Sequence, residues 1–84
     1  MITTHRLILY IRPHCHLCQH AQQILSQLTQ PFELINIDQH PELTQQYNTL
    51  IPVLYAPEYD RELLYPFTLE QCQQWLNQLN VSKN

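Results

Sequence analysis

Prolines divide this chain into short segments and limit the length of the helices and strands that it can form. Six prolines and no glycine occur in 84 residues. Proline lacks a backbone N–H and has a fixed φ, so it ends helices and central strands but is tolerated in the first turn of a helix. Pro13 and Pro66 end apolar runs, Pro31 ends a helical segment, and Pro41 is placed to begin a helix. The chain is therefore expected to alternate short strands and helices.

Four apolar runs are short enough to be strands, and they lie at residues 6–11, 32–37, 50–55 and 62–65. A helical segment separates the first two runs, so those strands are expected to be parallel with a right-handed crossover. A short turn separates the last two, so they are expected to form an antiparallel hairpin. The sequence therefore predicts a four-stranded mixed sheet with helices on both faces.

Three segments have the apolar spacing of helices. The first has one apolar face formed by Leu17, Ala21, Ile24, Leu25 and Leu28. A short helix is expected from Pro41 through Tyr47. The last helix follows Thr68 and Gln71, whose spacing is that of a capping box. The predicted order is β-α-β-α-β-β-α, in one α/β domain that covers residues 1–84.

Composition excludes several classes of function. The net charge is −3, and the few basic residues are scattered rather than grouped in the stripe that a nucleic acid would need. No apolar run approaches the ~20 residues that cross a bilayer, so we expect no membrane partner. The first residues lack the pattern of a secretory signal. We therefore expect a cytoplasmic monomer.

Without glycine, any turn that needs a positive φ must use Asn, Asp or His. The three cysteines, Cys15, Cys18 and Cys72, are an odd number, which argues against a disulfide scaffold. They indicate one functional pair and one further thiol. Cys72 lies on the apolar face of the last helix, so it is interpreted as a small core residue.

Cys15 and Cys18 follow the first strand and open the first helix. Unpaired N–H groups and the helix dipole favour negative charge at this position, and the thiolate is the reactive form of cysteine. Cys15 is therefore the expected nucleophile, and Cys18, one turn later, is the expected resolving thiol. His14 and His16 flank Cys15. A protonated imidazole at either position is expected to lower the pKa of the Cys15 thiol further.

The sequence resembles the thioredoxin superfamily, and within it the small glutaredoxin-like proteins. The resemblance covers nearly the whole chain, and it is found in residues 15–18 with Ala21 and Leu25 and in residues 36–38, 41–43 and 51–54. It implies a thioredoxin-like fold and a thiol–disulfide oxidoreductase activity on protein or small-molecule disulfides. It also implies that Pro52 has a cis peptide bond and lies against the cysteines, while Ile51 offers free backbone groups to an extended substrate.

The resemblance implies no tightly bound cofactor, and it leaves glutathione and a dithiol reductase as candidate reductants. Glutaredoxins proper carry Cys-Pro-Tyr-Cys and a glycine pair before the last helix. Here His16 and Leu17 separate the cysteines, and residues 64–68 replace the glycines.

Two alternatives are consistent with the same residues. The cluster at residues 14–20 contains the potential ligands His14, Cys15, His16, Cys18 and His20, so zinc or a shared iron–sulfur cluster is one alternative. No second cysteine or histidine pair follows to complete a structural site, so no metal ligand is predicted. The other alternative is an adaptor that keeps the fold without catalysis.

Overall fold

The computed structural model describes residues 6–83. Its elements are β1 (Ile8–Ile11), α1 (His16–Leu25), β2 (Glu33–Asn36), a 3-10 helix (Ile37–Gln39), α2 (Pro41–Tyr47), β3 (Val53–Ala56), β4 (Arg61–Leu64) and α3 (Leu69–Lys83). The predicted order of strands and helices is confirmed.

The four strands form one sheet in the order β2-β1-β3-β4. β1 is parallel to β2 and antiparallel to β3, and β4 is antiparallel to β3. The register pairs Tyr10 with Val53 and Val53 with Leu64. The end of β1, the start of β3 and the end of β4 therefore meet at one edge of the sheet, and the loop to α1 begins there.

Helices cover both faces of the sheet, as predicted. On one face α1 and α3 enclose a core of buried residues: Leu7, Leu9, Ala21, Ile24, Leu25, Leu54, Ala56, Phe67, Cys72 and Leu79. On the other face the 3-10 helix and α2 cover a smaller core made by Ile8, Tyr10, Ile37, Tyr47 and Val53. The mixed four-stranded sheet between these layers is that of a thioredoxin-like fold.

The first helix is shorter than the sequence predicted. It ends at Leu25, because the Ser26 hydroxyl donates to the Gln22 carbonyl oxygen at 2.8 Å and the next N–H groups turn back by three residues. Leu28 still packs against the core from the following turn. Leu17 is exposed, which also differs from the prediction. Cys18 and the residues that follow at helical spacing take the buried face, and adjacent helix positions are about 100° apart.

The strands differ from the predicted runs by one to three residues at every boundary except the end of β1, and two of these differences have a visible cause. Ile37 is buried but starts the 3-10 helix instead of ending β2. β3 begins at Val53, because the N–H groups of Leu50 and Ile51 both donate to the Tyr47 carbonyl oxygen and so extend the turn that closes α2.

Local signals in the sequence are confirmed elsewhere. His14 and Asp60 have φ values of 60° and 51°, so within residues 6–83 a histidine and an aspartate take left-handed conformations. The capping box is also present: the Gln71 N–H donates to the Thr68 hydroxyl at 3.1 Å, and the Thr68 N–H donates to the Gln71 side chain at 2.9 Å. These features depend on residues close in sequence, which is why the sequence could predict them.

Candidate redox site

Cys15 and Cys18 form a disulfide at the start of α1, with their Cα atoms 5.2 Å apart. Cys15 is the N-cap residue, with φ −112° and ψ 109°, and its sulfur accepts the Cys18 N–H at 3.1 Å. An N-cap side chain faces the unpaired N–H groups of the first turn. The Cys15 sulfur therefore lies where a negative charge is stabilised once the disulfide is opened.

The two cysteines differ in exposure. Cys18 is only 3% exposed, whereas Cys15 is half-buried. An incoming disulfide can therefore reach Cys15 more easily than Cys18. Cys72 is separate from this pair, since it is free and buried in the core under α3. Burial raises the pKa of the Cys72 thiol to about 11, so this thiol is protonated and unreactive at neutral pH.

Three histidines lie around the cysteine pair. His14 is exposed and immediately precedes Cys15, and His16 is exposed as the first residue of α1. Within the described part of the chain, neither the His14 nor the His16 side chain makes a hydrogen bond to a cysteine sulfur. His20 is different, because its Nδ1 lies 2.6 Å from the Tyr65 hydroxyl.

Pro52 is fully buried, and the Ile51–Pro52 peptide bond is cis, as the resemblance implied. Because Val53 pairs with Tyr10, Pro52 comes opposite Ile11 at the end of β1. Ile51 and Pro52 therefore lie beside the loop that leads into Cys15. The Pro52 carbonyl oxygen accepts the Tyr65 N–H at 3.4 Å.

The expectation that Ile51 has free backbone groups needs a correction. Its N–H donates to the Tyr47 carbonyl oxygen at 3.2 Å, because the chain turns back on itself at the end of α2. Within residues 6–83, no hydrogen bond to the Ile51 carbonyl oxygen is seen. Ile51 can therefore offer an extended substrate an acceptor but not a donor.

Tyr65 lies beside the site, although the sequence did not indicate it. Besides its bond to His20, the Tyr65 ring makes edge contacts with the rings of His20 and Phe67, at centroid distances of 5.7 Å and 5.6 Å. Tyr65 thus joins the helix that carries the cysteines to the Pro52 segment. The aromatic residues on both sides of Pro66 were the only available signal in the sequence. Their partner lies 45 positions away, so no local pattern could identify it.

Arg12 was also missed, although it precedes Cys15 by three residues. Its Nε donates to Asp38 Oδ1 at 3.0 Å, and its Nη2 donates to Asn48 Oδ1 at 2.6 Å. These bonds fasten the loop before Cys15 to the 3-10 helix and to the end of α2. The Arg12 charge is therefore balanced by Asp38 rather than free beside the cysteines.

Among the residues that the structure describes, no three His, Cys, Asp or Glu side chains are grouped to hold a metal ion. No helix between residues 6 and 83 has the length and apolar character that crossing a membrane requires.

The chain matches one family model and is similar to several solved structures. The family model described as "Glutaredoxin-like domain (DUF836)" matches residues 6–78. The X-ray structure of the structural genomics target protein XcR50 from X. campestris is 38% identical, with a TM-score of 0.79 over 84% of this chain and 95% of that one. Its solution structure gives 38% identity and a TM-score of 0.76, over 84% and 91% of the two chains.

A third solved structure is similar over most of its length. Protein Ne2328 from Nitrosomonas europaea is 30% identical, with a TM-score of 0.69 over 89% of this chain and 94% of that one. No curated protein matches the chain significantly.

Proposed function

Because this chain belongs to the glutaredoxin-like domain (DUF836) family, we propose that it is a thiol–disulfide oxidoreductase with Cys15 as nucleophile and Cys18 as resolving thiol. The observation that carries the proposal is the asymmetric cysteine pair at the N-terminus of α1. The sulfurs are close enough to form a disulfide, and Cys15 is the more exposed of the two. An N-terminal position on a helix favours the thiolate, which is the form that attacks disulfides.

The reaction begins with both cysteines reduced. The Cys15 thiolate attacks one sulfur of the substrate disulfide, forms a mixed disulfide and releases the other substrate sulfur as a thiolate, which takes up a proton. Cys18 then loses its proton and attacks the Cys15 sulfur. The Cys15–Cys18 disulfide forms, and the second substrate thiol leaves. The substrate has gained two electrons and two protons, and the protein has lost them.

An external thiol returns the oxidised pair to the dithiol, with glutathione and a dithiol reductase as the two candidates. The exchange itself needs no tightly bound cofactor. We place the reaction in the cytoplasm. In that compartment thiols are kept reduced, as the first step of the reaction requires.

Four neighbouring residues have supporting roles in this proposal. His14 and His16, when protonated, stabilise the Cys15 thiolate through their charge. Pro52 fills the space beside the loop that leads into Cys15, and the Ile51 carbonyl oxygen accepts a hydrogen bond from the substrate backbone. Each of these residues lies next to the cysteine pair or on the segment paired with the end of β1.

Single cysteine variants test the proposal. Cys18→Ser should accumulate a mixed disulfide with insulin, because attack proceeds and resolution cannot. Cys15→Ser should accumulate none, and both variants should lose reduction by the dithiol route. Cys72→Ser is the matched control and should keep wild-type activity, since its thiol is buried in the core and is not part of the disulfide. The adduct is measured by intact mass under non-reducing conditions. Wild-type rates in both active-site variants would refute the proposal.

A further inference from the structure

Three segments of the chain meet at the edge of the sheet where the cysteine pair lies. The register pairs Ile11 with Asn36 and Tyr10 with Val53. The loop that leads from β1 to Cys15 therefore leaves the sheet between the end of β2 and the start of β3. Beyond the strand ends, ladder hydrogen bonds no longer fix the spacing of these segments.

Arg12, the first residue after β1, is bonded to the segments on both sides of that loop. Its Nε donates to Asp38 Oδ1 at 3.0 Å, in the 3-10 helix that follows β2. Its Nη2 donates to Asn48 Oδ1 at 2.6 Å, at the end of α2 and three residues before Ile51. A single exposed ion pair contributes little. Two bonds from one rigid, planar guanidinium, however, fix the separation of the two segments that accept them.

Both acceptors of the Arg12 bonds are themselves held in place. The Asp38 N–H donates to Asn36 Oδ1 at 2.9 Å, so the start of the 3-10 helix is fixed to the end of β2. Asn48 is the C-cap residue of α2, next to the turn that precedes Pro52. Arg12 therefore connects two ordered segments to the loop in which it lies.

The loop after Arg12 contains a backbone conformation that needs support. His14 has a φ of 60°, in the left-handed region that is unfavourable for a residue with a Cβ atom and persists where surrounding contacts impose it. His14 immediately precedes Cys15, the N-cap residue of α1. Because only two residues separate Arg12 from Cys15, a shift of Arg12 also moves the Cys15 sulfur.

We propose that Arg12 is a positioning residue, which fixes the distance between Cys15 and the Pro52 segment during thiol exchange. It acts through its bonds to Asp38 and Asn48, and because Asp38 balances its charge, its effect is on geometry. The proposal rests on the proposed function, and the exchange follows the two steps given above. Loss of Arg12 should therefore slow a substrate that touches both segments and spare a reagent that touches only the sulfur.

Two reactions of the pre-reduced protein separate these effects. Iodoacetamide is small and reacts at the exposed Cys15 sulfur, whereas insulin is large enough to touch the Pro52 segment as well. In Arg12→Gln the second-order rate constant with insulin should fall about tenfold, since a misplacement of ~1 Å can cost on the order of 10²-fold in rate. The alkylation rate should stay within about twofold of the wild-type rate, because an exposed, balanced charge has little effect. Quenched samples analysed by intact mass and peptide mapping give both rates.

Arg12→Lys distinguishes geometry from charge. Lysine keeps the positive charge, but its single ammonium group does not reproduce the two separate donors of the guanidinium. The insulin rate of Arg12→Lys should therefore fall as it does in Arg12→Gln. The pH at which alkylation of Cys15 is half-maximal should match that of the wild type.

Substitutions of Asp38 test the same bond from the other side. Asp38→Asn keeps an Oδ1 acceptor for Arg12 and should keep the wild-type insulin rate, whereas Asp38→Ala removes the acceptor and should lower the rate. Because the two residues act through one bond, Asp38→Ala should cause little further loss in Arg12→Gln.

Arg6→Gln is the matched control. The Arg6 Nε donates to Glu33 Oε2 at 2.6 Å, so this pair also joins the β1 and β2 segments. It lies at the opposite end of these strands from the cysteines. Arg6→Gln should therefore keep both wild-type rates.

The outcomes separate the role of Arg12 from the proposed function. Insulin and alkylation rates that fall together in Arg12→Gln, or a wild-type insulin rate in Arg12→Lys, would refute positioning and leave the proposed function standing. If the wild type is alkylated at Cys15 but does not reduce insulin, the proposed function fails, and the role of Arg12 fails with it. If circular dichroism shows that Arg12→Gln does not fold, the comparison of Asp38→Asn with Asp38→Ala decides, and equal insulin rates in those two variants refute positioning.

Discussion

Tyr47→Phe should reveal how the buried tyrosines make stability depend on pH. Tyr47 is 4% exposed at the end of α2, its ring stacks on Tyr10 with centroids 4.8 Å apart, and its hydroxyl donates to the Glu62 carboxylate. Burial, followed by the bond to Glu62, raises the pKa of Tyr47 well above its usual value. The phenol therefore stays protonated in the folded protein at a pH where it ionises in the unfolded chain.

The magnitude at neutral pH follows from what the substitution removes. Phenylalanine keeps the ring and its stacking but loses the hydrogen bond. Bonds to charged groups are worth ~1.5–3 kcal/mol, but Glu62 is exposed and can be rehydrated, so we expect a loss of about 1 kcal/mol at pH 7. Glu62 lies in β4 and Tyr47 lies in α2. The lost free energy of unfolding therefore measures how much this bond contributes to packing α2 on the sheet.

At alkaline pH the stability difference between wild type and Tyr47→Phe changes sign. A raised pKa contributes stability that is complete below the unfolded value, about 10, and is lost as the pH rises above it. For Tyr47 this loss approaches ~1.4 kcal/mol per pH unit, and phenylalanine avoids it. Tyr10 and Tyr55 also have raised pKa values, so both proteins lose stability. The difference between wild type and Tyr47→Phe should vanish and change sign at roughly pH 10.5–11.

Urea unfolding of the oxidised protein, followed by circular dichroism from pH 7 to 11, measures both stability curves. Leu34→Gln changes an exposed apolar residue without adding a titratable group, so its curve should run parallel to that of the wild type. A difference between wild type and Tyr47→Phe that stays constant up to pH 11 would show that Tyr47 ionises equally in the folded and unfolded states. That result would refute the reasoning.

Two further predictions concern the ends of helices. His16→Ala should lower the reduction potential of the cysteine pair by up to about 20 mV, since an exposed charge pair contributes ~0–1 kcal/mol and 30 mV corresponds to ~1.4 kcal/mol. Equilibration with glutathione buffers measures the potential, and an increase would contradict the expected stabilisation of the Cys15 thiolate. Thr68→Ala removes the hydroxyl that accepts the Gln71 N–H, so it should cost ~1 kcal/mol and lower the Tm by roughly 4–8 °C. An unchanged Tm in a thermal scan would show that the capping box contributes nothing to stability.

Much of the fold could be predicted from neighbouring residues. The apolar runs and prolines determined the order of the elements, and the spacing of Thr68 and Gln71 determined how α3 begins. The placement of Cys15 and Cys18 at the first turn of α1 followed from the end of one apolar run and the start of another. Each of these features depends on steric or hydrogen-bonding preferences that act within a few residues.

Other features depend on tertiary contacts, which a local sequence pattern cannot reveal. Leu17 is apolar and fits the helical period, yet it is exposed because Cys18 takes the buried face at that turn. The Ile51 N–H is bonded to the Tyr47 carbonyl oxygen because the chain turns back at the end of α2. That turn depends on backbone geometry, which the pattern of side chains does not specify.

The sequence by itself determined that a thiol pair lies at a helix N-terminus, where backbone N–H groups stabilise a thiolate. Only the tertiary structure decided what surrounds that pair. The His20–Tyr65 bond joins residues 45 positions apart, and Arg12 is bonded to Asp38 in the 3-10 helix that follows β2. Such pairs form only when packing of the sheet and helices brings distant segments together, because the free energy that selects them comes from burial of the whole core and not from either residue's local preference.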